Sequence, residues 1–241
     1  MDPVSILLGG FASGMVLFIV SVGLSVTMGL MGFVNLAHGG FAMLGGYVIV
    51  LVTRHWGLGF LAALALAFVA VAVFSVVLER LLYSRLYRAS ELDQVLFTIG
   101  LVFVMTATVT LGVGPETQVV RLPDWLRGQT DLGFIKYRTY SLALIVAGTA
   151  LVIALWLGFG RTRFGARIRA AVDNRRMARS LGVDVDRLFA VTFAIGSGLA
   201  AVGGGLGAEI LGLDPNYPLR YLVYFLIVVS AGGLGRVTGV V

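Results

Sequence analysis

The residues best placed to do chemistry lie in one short stretch, Gly29-Leu-Met-Gly32-Phe-Val-Asn35-Leu-Ala-His38-Gly39-Gly40. It sets an amide, an imidazole and several glycines into an otherwise apolar run. Glycines permit backbone angles that break a helix. Asn and His can hydrogen-bond the backbone groups that such a break frees. Polar side chains at membrane depth are costly and normally face protein or water. Two readings stay open: a broken or re-entrant helix lining a substrate path, and a hydrogen-bonded structural turn. A metal site at His38 is not expected, because His55 is the other histidine and the chain has no Cys. His55 stands between Arg54 and Trp56, as an interface anchor would. No catalytic constellation is found. There is no Gly-x-x-x-x-Gly-Lys phosphate loop, no His-Glu-x-x-His, no Gly-x-Ser-x-Gly and no Asp pair or proton relay within an apolar run. Active transport by this chain would therefore draw its energy from a partner.

The elements that must position these residues are membrane helices. Of 241 residues, 59% are hydrophobic and 12% charged, with mean hydropathy +0.98. Soluble domains carry roughly 25% charged residues. Between Asp2 and Arg54 there is no Asp, Glu, Lys or Arg. As one helix that run would exceed twice the ~30 Å hydrocarbon thickness. It crosses twice, or crosses once and re-enters. A signal peptide is not expected, since Met-Asp-Pro lacks a basic segment. The net charge of +6 does not indicate nucleic-acid binding, because the basic residues sit between apolar runs. The fold expected is all-α, a polytopic transmembrane bundle forming one domain over 1–241. Its spans are about 4–30, 33–53, 57–78, 94–113, 139–160, 188–210 and 219–238, with a break or re-entrance near 29–40. The last run is short, with only residues 221–235 uncharged between Arg220 and Arg236. It reads as a re-entrant segment or as a span cut off by the end of the chain.

Loop charges set the orientation. Residues 161–187 hold Arg161, Arg163, Arg167, Arg169, Arg175, Arg176, Arg179 and Arg187, and belong in the cytoplasm. The 79–93 loop, with Arg80, Arg85 and Arg88, falls on the same side. The 114–138 loop and the N-terminus fall outside. Within the Arg-rich segment, Gly165–Leu181 suits one short helix with Ile168, Ala171, Val172, Arg175 and Ala178 along one face. Gly182 suits its C-terminal cap, and Asp184 or Asp186 an N-cap of the next span. This segment reads equally as a basic loop on anionic membrane lipid and as a docking helix for a soluble partner. In the sixth span Gly196, Ala200, Gly204 and Ala208 form a small-residue stripe, with Gly203 and Gly207 beside it, as close helix packing in lipid requires. Glu209 and Asp214-Pro215-Asn216 mark the outer end of that span.

Several of these motifs resemble a known family. Gly29 to Gly39, Thr98-Ile-Gly100, Arg169-Ala-Ala-Val-Asp173-Asn-Arg-Arg-Met177-Ala-Arg-Ser-Leu-Gly182-Val, Leu188–Gly205 and Gly232-Gly-Leu-Gly235 are similar to the permeases of ABC importers for branched-chain amino acids and their urea and amide relatives. The likeness spans nearly the whole chain and is greatest to the smaller of two paired permease subunits. It implies a bacterial or archaeal plasma-membrane protein with no cofactor of its own. It also implies a second permease subunit, two cytoplasmic ATPases that use ATP, and an external solute-binding protein as partners. On this likeness Asn35, His38 and Thr98 lie near the translocation path. Arg169, Asp173, Arg175, Arg176, Met177 and Gly182 belong to the ATPase-coupling loop. Family members often carry an acidic residue after the His-Gly pair, where this chain has Gly40. The alternative function is a self-contained channel or secondary transporter for small neutral solutes such as urea or amides.

Overall fold

In the computed structural model the described residues are 3–32, 35–86, 89–131, 133 and 135–232. Phe33 and Val34 of the first motif, Arg88, and the last span and glycine cluster from Gly233 onward lie outside them. Among the described residues nine α-helices are longer than one turn: α1 Pro3–Met31, α2 His38–His55, α3 Phe60–Leu78, α4 Glu91–Val113, α5 Thr139–Arg161, α6 Arg163–Asp173, α7 Arg175–Ser180, α8 Val185–Leu211 and α9 Tyr217–Gly232. Each of the seven apolar runs carries a helix. Five stretches are long and apolar enough to cross a membrane: Pro3–Gly29, Phe60–Leu86, Glu91–Val113, Thr139–Arg161 and Val185–Leu211. The chain is a multi-pass helical membrane protein. A helix satisfies its own backbone groups, which lipid cannot do.

Two expectations are corrected. Residues 79–86 are not loop: α3 continues through a π-helical turn, Glu79–Tyr83, and a last turn, Ser84–Leu86. The wider turn places both Glu79 and Tyr83 inward, where they are 4% and 0% exposed. The Arg-rich segment is two helices, not one. The chain turns at Asn174 (φ −153°, ψ 98°), whose side chain caps α7 by accepting from the Met177 N–H at 3.0 Å. Thr162 and Asp184 cap α6 and α8 in the same manner.

The 114–138 segment contains a small antiparallel hairpin, β1 Gln129–Asp131 with β2 Lys136–Arg138, in which Thr130 faces Tyr137. It marks one end of the bundle, and the Arg-rich segment marks the other. α8 is the hub. Of its most apolar window 72% is buried, against 22–39% in the other four stretches. It packs chiefly on α1, α2 and α3. The small-residue stripe makes this possible and serves two partners. A Cβ added to Gly196 would strike the backbone of Gly23 in α1, and one on Gly204 would strike that of Ala42 in α2. Ala200 and Ala208, 0% and 4% exposed, fill the rest of the stripe. Gly203 lies on Val20, and Gly45 of α2 on Ala201. The helices cross at backbone contact, where dispersion is strongest.

Candidate functional site

α1 ends at Gly32, whose φ of +76° turns the chain out of the helix. The chain does not leave the bundle there. At the start of α2 the His38 Nε2–H donates to the Val20 carbonyl at 2.9 Å. Val20 lies eleven residues (31 − 20) before the end of α1, or about 16 Å along its axis. α2 therefore begins inside the bundle, beside the middle of α1. Asn35 holds this inward start. Its Oδ1 accepts from the Ala37 N–H at 3.1 Å and from the Tyr83 O–H at 2.9 Å, and its carbonyl accepts from the His38 N–H at 3.2 Å. Asn35 and His38 are each 1% exposed. Around them is an aromatic layer: Tyr83 meets Phe97 at 5.7 Å and Phe193 at 4.9 Å, and Phe41 meets Phe193 at 5.6 Å.

Thr98 lies on α4 next to this layer and is fully buried, with its hydroxyl bonded to its own Val95 carbonyl at 3.0 Å. No hydrogen bond among the described residues links it to Asn35 or His38. Tyr83 was missed by sequence reasoning, because a tyrosine between Arg80 and Arg85 reads as loop. Only the π-turn brings it to Asn35.

A second helix starts inside the bundle from the opposite end. After α8 the chain runs back along α2, with Leu213 against Gly46 and Pro218 against Gly39. Asp214 shapes the turn, its Oδ1 accepting from the Asn216 N–H at 2.8 Å and its Oδ2 paired with Arg220 at 2.7 Å. Thr106 of α4 donates to the Pro215 carbonyl at 3.1 Å. The starts of α2 and α9 thus meet, Gly39 on Pro218. Several buried polar atoms near these elements have no hydrogen-bond partner among the described residues: Asn35 Nδ2, His38 Nδ1, Ser21 and Ser197 Oγ, and Tyr47 and Tyr217 Oη. Among the described residues no group of three metal-ligating side chains occurs. Glu209 pairs with Arg138 at 3.1 Å on the surface, an interaction of small weight.

At the Arg-rich end, α6 and α7 lay one face on the bundle. Ile168, Ala171 and Ala178 are buried with Val22, Val26, Leu155, Phe159, Val185, Leu188 and Phe189. Val172 and Arg175, placed on the same face by the sequence pattern, are half-buried. The six residues of the coupling-type motif divide into inner and outer sets. Arg169 donates to the Phe159 carbonyl. The Arg175 guanidinium sits 4.6 Å above the Phe189 ring. Arg176, Met177, Asp173 and Gly182 point to solvent, with Met177 59% exposed and its neighbour Leu181 74%. Gly182 ends α7 with φ +80°, and the Val183 N–H returns to the Ala178 carbonyl at 3.0 Å.

The class of protein is thus a multi-pass helical membrane protein with one helix start buried inside the bundle and an Arg-rich helix pair lying on one end. The family model described as "Branched-chain amino acid transport system / permease component" matches residues 6–241, and the chain belongs to that family. The chain is 24% identical to the high-affinity branched-chain amino acid transport system permease protein BraD of Pseudomonas aeruginosa, over 97% of this chain and 80% of the relative. It is 27% identical to LivH of Escherichia coli, over 95% and 79%, and 25% identical to LivM of Salmonella typhimurium, over 92% and 57%. No solved structure matches.

Proposed function

We propose that the chain is one of two membrane-spanning subunits of an ABC importer for branched-chain amino acids, resident in a bacterial or archaeal plasma membrane. An external binding protein delivers the amino acid, and two cytoplasmic ATPases drive alternating access. The reading rests on family membership, on relatives of both the LivH and LivM kinds, and on the outer face of α7. That face presents Arg176 and Met177, with Leu181 exposed just past the helix end. An exposed apolar pair beside an arginine is what a protein contact needs at its centre. In the pathway, the buried polar groups around Asn35 and His38 and the inward starts of α2 and α9 border the route, which opens where Gly39 and Pro218 part.

The inner and outer division of the Arg-rich segment sharpens the test. Arg176→Glu with Met177→Ala changes only the outer face. In the reconstituted complex with both ATPases and the binding protein, this pair should abolish substrate-stimulated ATP hydrolysis and uptake while the subunit still assembles in the membrane. Unchanged coupled uptake would remove the docking role. Solute flux through vesicles holding this chain alone would favour the channel reading instead.

A further inference from the structure

α3 and α8 touch closely where Phe68 lies on Gly198, and then separate toward the Arg-rich end. The residues facing the gap are small or compact and apolar: Ala72 and Val76 on α3, and Ala190, Ala194 and Ile195 on α8. They leave an open, mostly apolar groove of about 230 Å³ on the outside of the bundle, and Arg80 and Arg187 stand at its mouth. Both arginines also line a larger, polar cavity of about 1080 Å³ at that end. Apolar groove and charged cavity are therefore continuous through the same two side chains.

The cavity lining is net positive, with five arginines, Arg80, Arg85, Arg175, Arg179 and Arg187, against three carboxylates, Glu79, Asp184 and Asp186. Asp184 is engaged as the cap of α8, accepting from the Arg187 N–H at 2.9 Å, and Asp186 pairs with Arg179 at 2.7 Å. Glu79 is 4% exposed, held inside by the π-turn. Among the described residues the guanidinium groups of Arg80, Arg85 and Arg187 make no ion pair. Arg80 and Arg187 are exposed, on helices whose next turns are apolar. From Arg80 to Phe68 along α3 is twelve residues (80 − 68), about 18 Å. That is the length scale of an extended acyl chain.

We propose that this groove binds one anionic phospholipid. The phosphate lies between Arg80 and Arg187, with Arg85 behind it, and an acyl chain runs up the cleft to Phe68. A zwitterionic lipid fits the apolar cleft equally well but adds an ammonium beside the arginines, so anionic headgroups are preferred. The proposal does not depend on the transport reading.

The test uses the purified full-length chain and native mass spectrometry, titrating palmitoyl-oleoyl phosphatidylglycerol against the phosphatidylcholine of the same chains. Phosphatidylglycerol should bind on the order of tenfold tighter. Arg80→Gln with Arg187→Gln should bring it to the phosphatidylcholine level, while Arg80→Lys with Arg187→Lys retains most of the preference. Arg121→Gln with Arg127→Gln, at the opposite end, should change nothing. Ala194→Phe, which fills the cleft, should weaken both lipids and leave soluble glycerophosphate without effect on either. An undiminished preference in the folded Arg80/Arg187 glutamine variant overturns the headgroup site. Equal competition by soluble glycerophosphate overturns the acyl cleft. Cross-linking from Val191 to a second copy of the chain in vesicles shows the groove covered by protein and overturns the proposal altogether.

Discussion

The two helices that begin inside the bundle solve the same problem with different chemistry. At the start of α2 the freed backbone is satisfied by neutral groups: an amide, a phenol and an imidazole, all buried. At the start of α9 the turn is held by a carboxylate 8% exposed, paired with an arginine 50% exposed. The first lies deep among α1, α3 and α8, where an ion would need a fully desolvated partner. The second keeps one partner in contact with the surroundings. The neutral site is therefore insensitive to salt, and the charged one is not.

Four variants test that contrast, read as the midpoint of denaturation of the purified protein in detergent. Asn35→Ala removes the acceptor of both the Ala37 N–H and the Tyr83 O–H and should cost roughly 2–4 kcal/mol. A loss below about 1 kcal/mol would mean that water replaces the amide. Gly39→Val acts on both starts at once. Its Cβ would sit 3.1 Å from Pro218 and 3.3 Å from the Phe225 ring, and the branched side chain should cost roughly 1–3 kcal/mol by overpacking. Tyr83→Phe keeps the aromatic layer and loses one hydrogen bond, about 1 kcal/mol, the same at low and high salt. Asp214→Asn keeps the acceptor for the Asn216 N–H and loses the ion pair, below about 1 kcal/mol and smaller still at high salt. Equal salt dependence for Tyr83→Phe and Asp214→Asn would end the comparison.

Span positions were legible because charges punctuate the apolar runs: the 139–160 run is helix Thr139–Arg161, and 4–30 is Pro3–Met31. The break near 29–40 was legible from Gly32, Asn35 and His38, since glycine and an amide at membrane depth need a backbone reason. Its depth was not, because it is set by Tyr83, and a π-turn has no period that composition reveals. The Gly165–Leu181 pattern gave the correct buried face but hid the turn at Asn174, since both helices lay their apolar residues on the same surface. The motif's arginines looked alike in sequence. Arg175 and Arg176 are adjacent, yet one covers Phe189 and the other faces solvent. The inward start of α9 was half visible: Asp214-Pro215 signals a turn, but nothing local tells which way the chain goes next.

The glycine seam along α8 has a mechanical consequence. Where Gly196 meets Gly23 and Gly204 meets Ala42, main chain rests on main chain. There are no intervening rotamers to yield. A push on α8 from the Arg-rich end is therefore carried to α1 and α2 as displacement and is not absorbed as side-chain rearrangement. Asp184, which caps α8 beside the α6–α7 pair, stands at the end of α8 where such a push would enter.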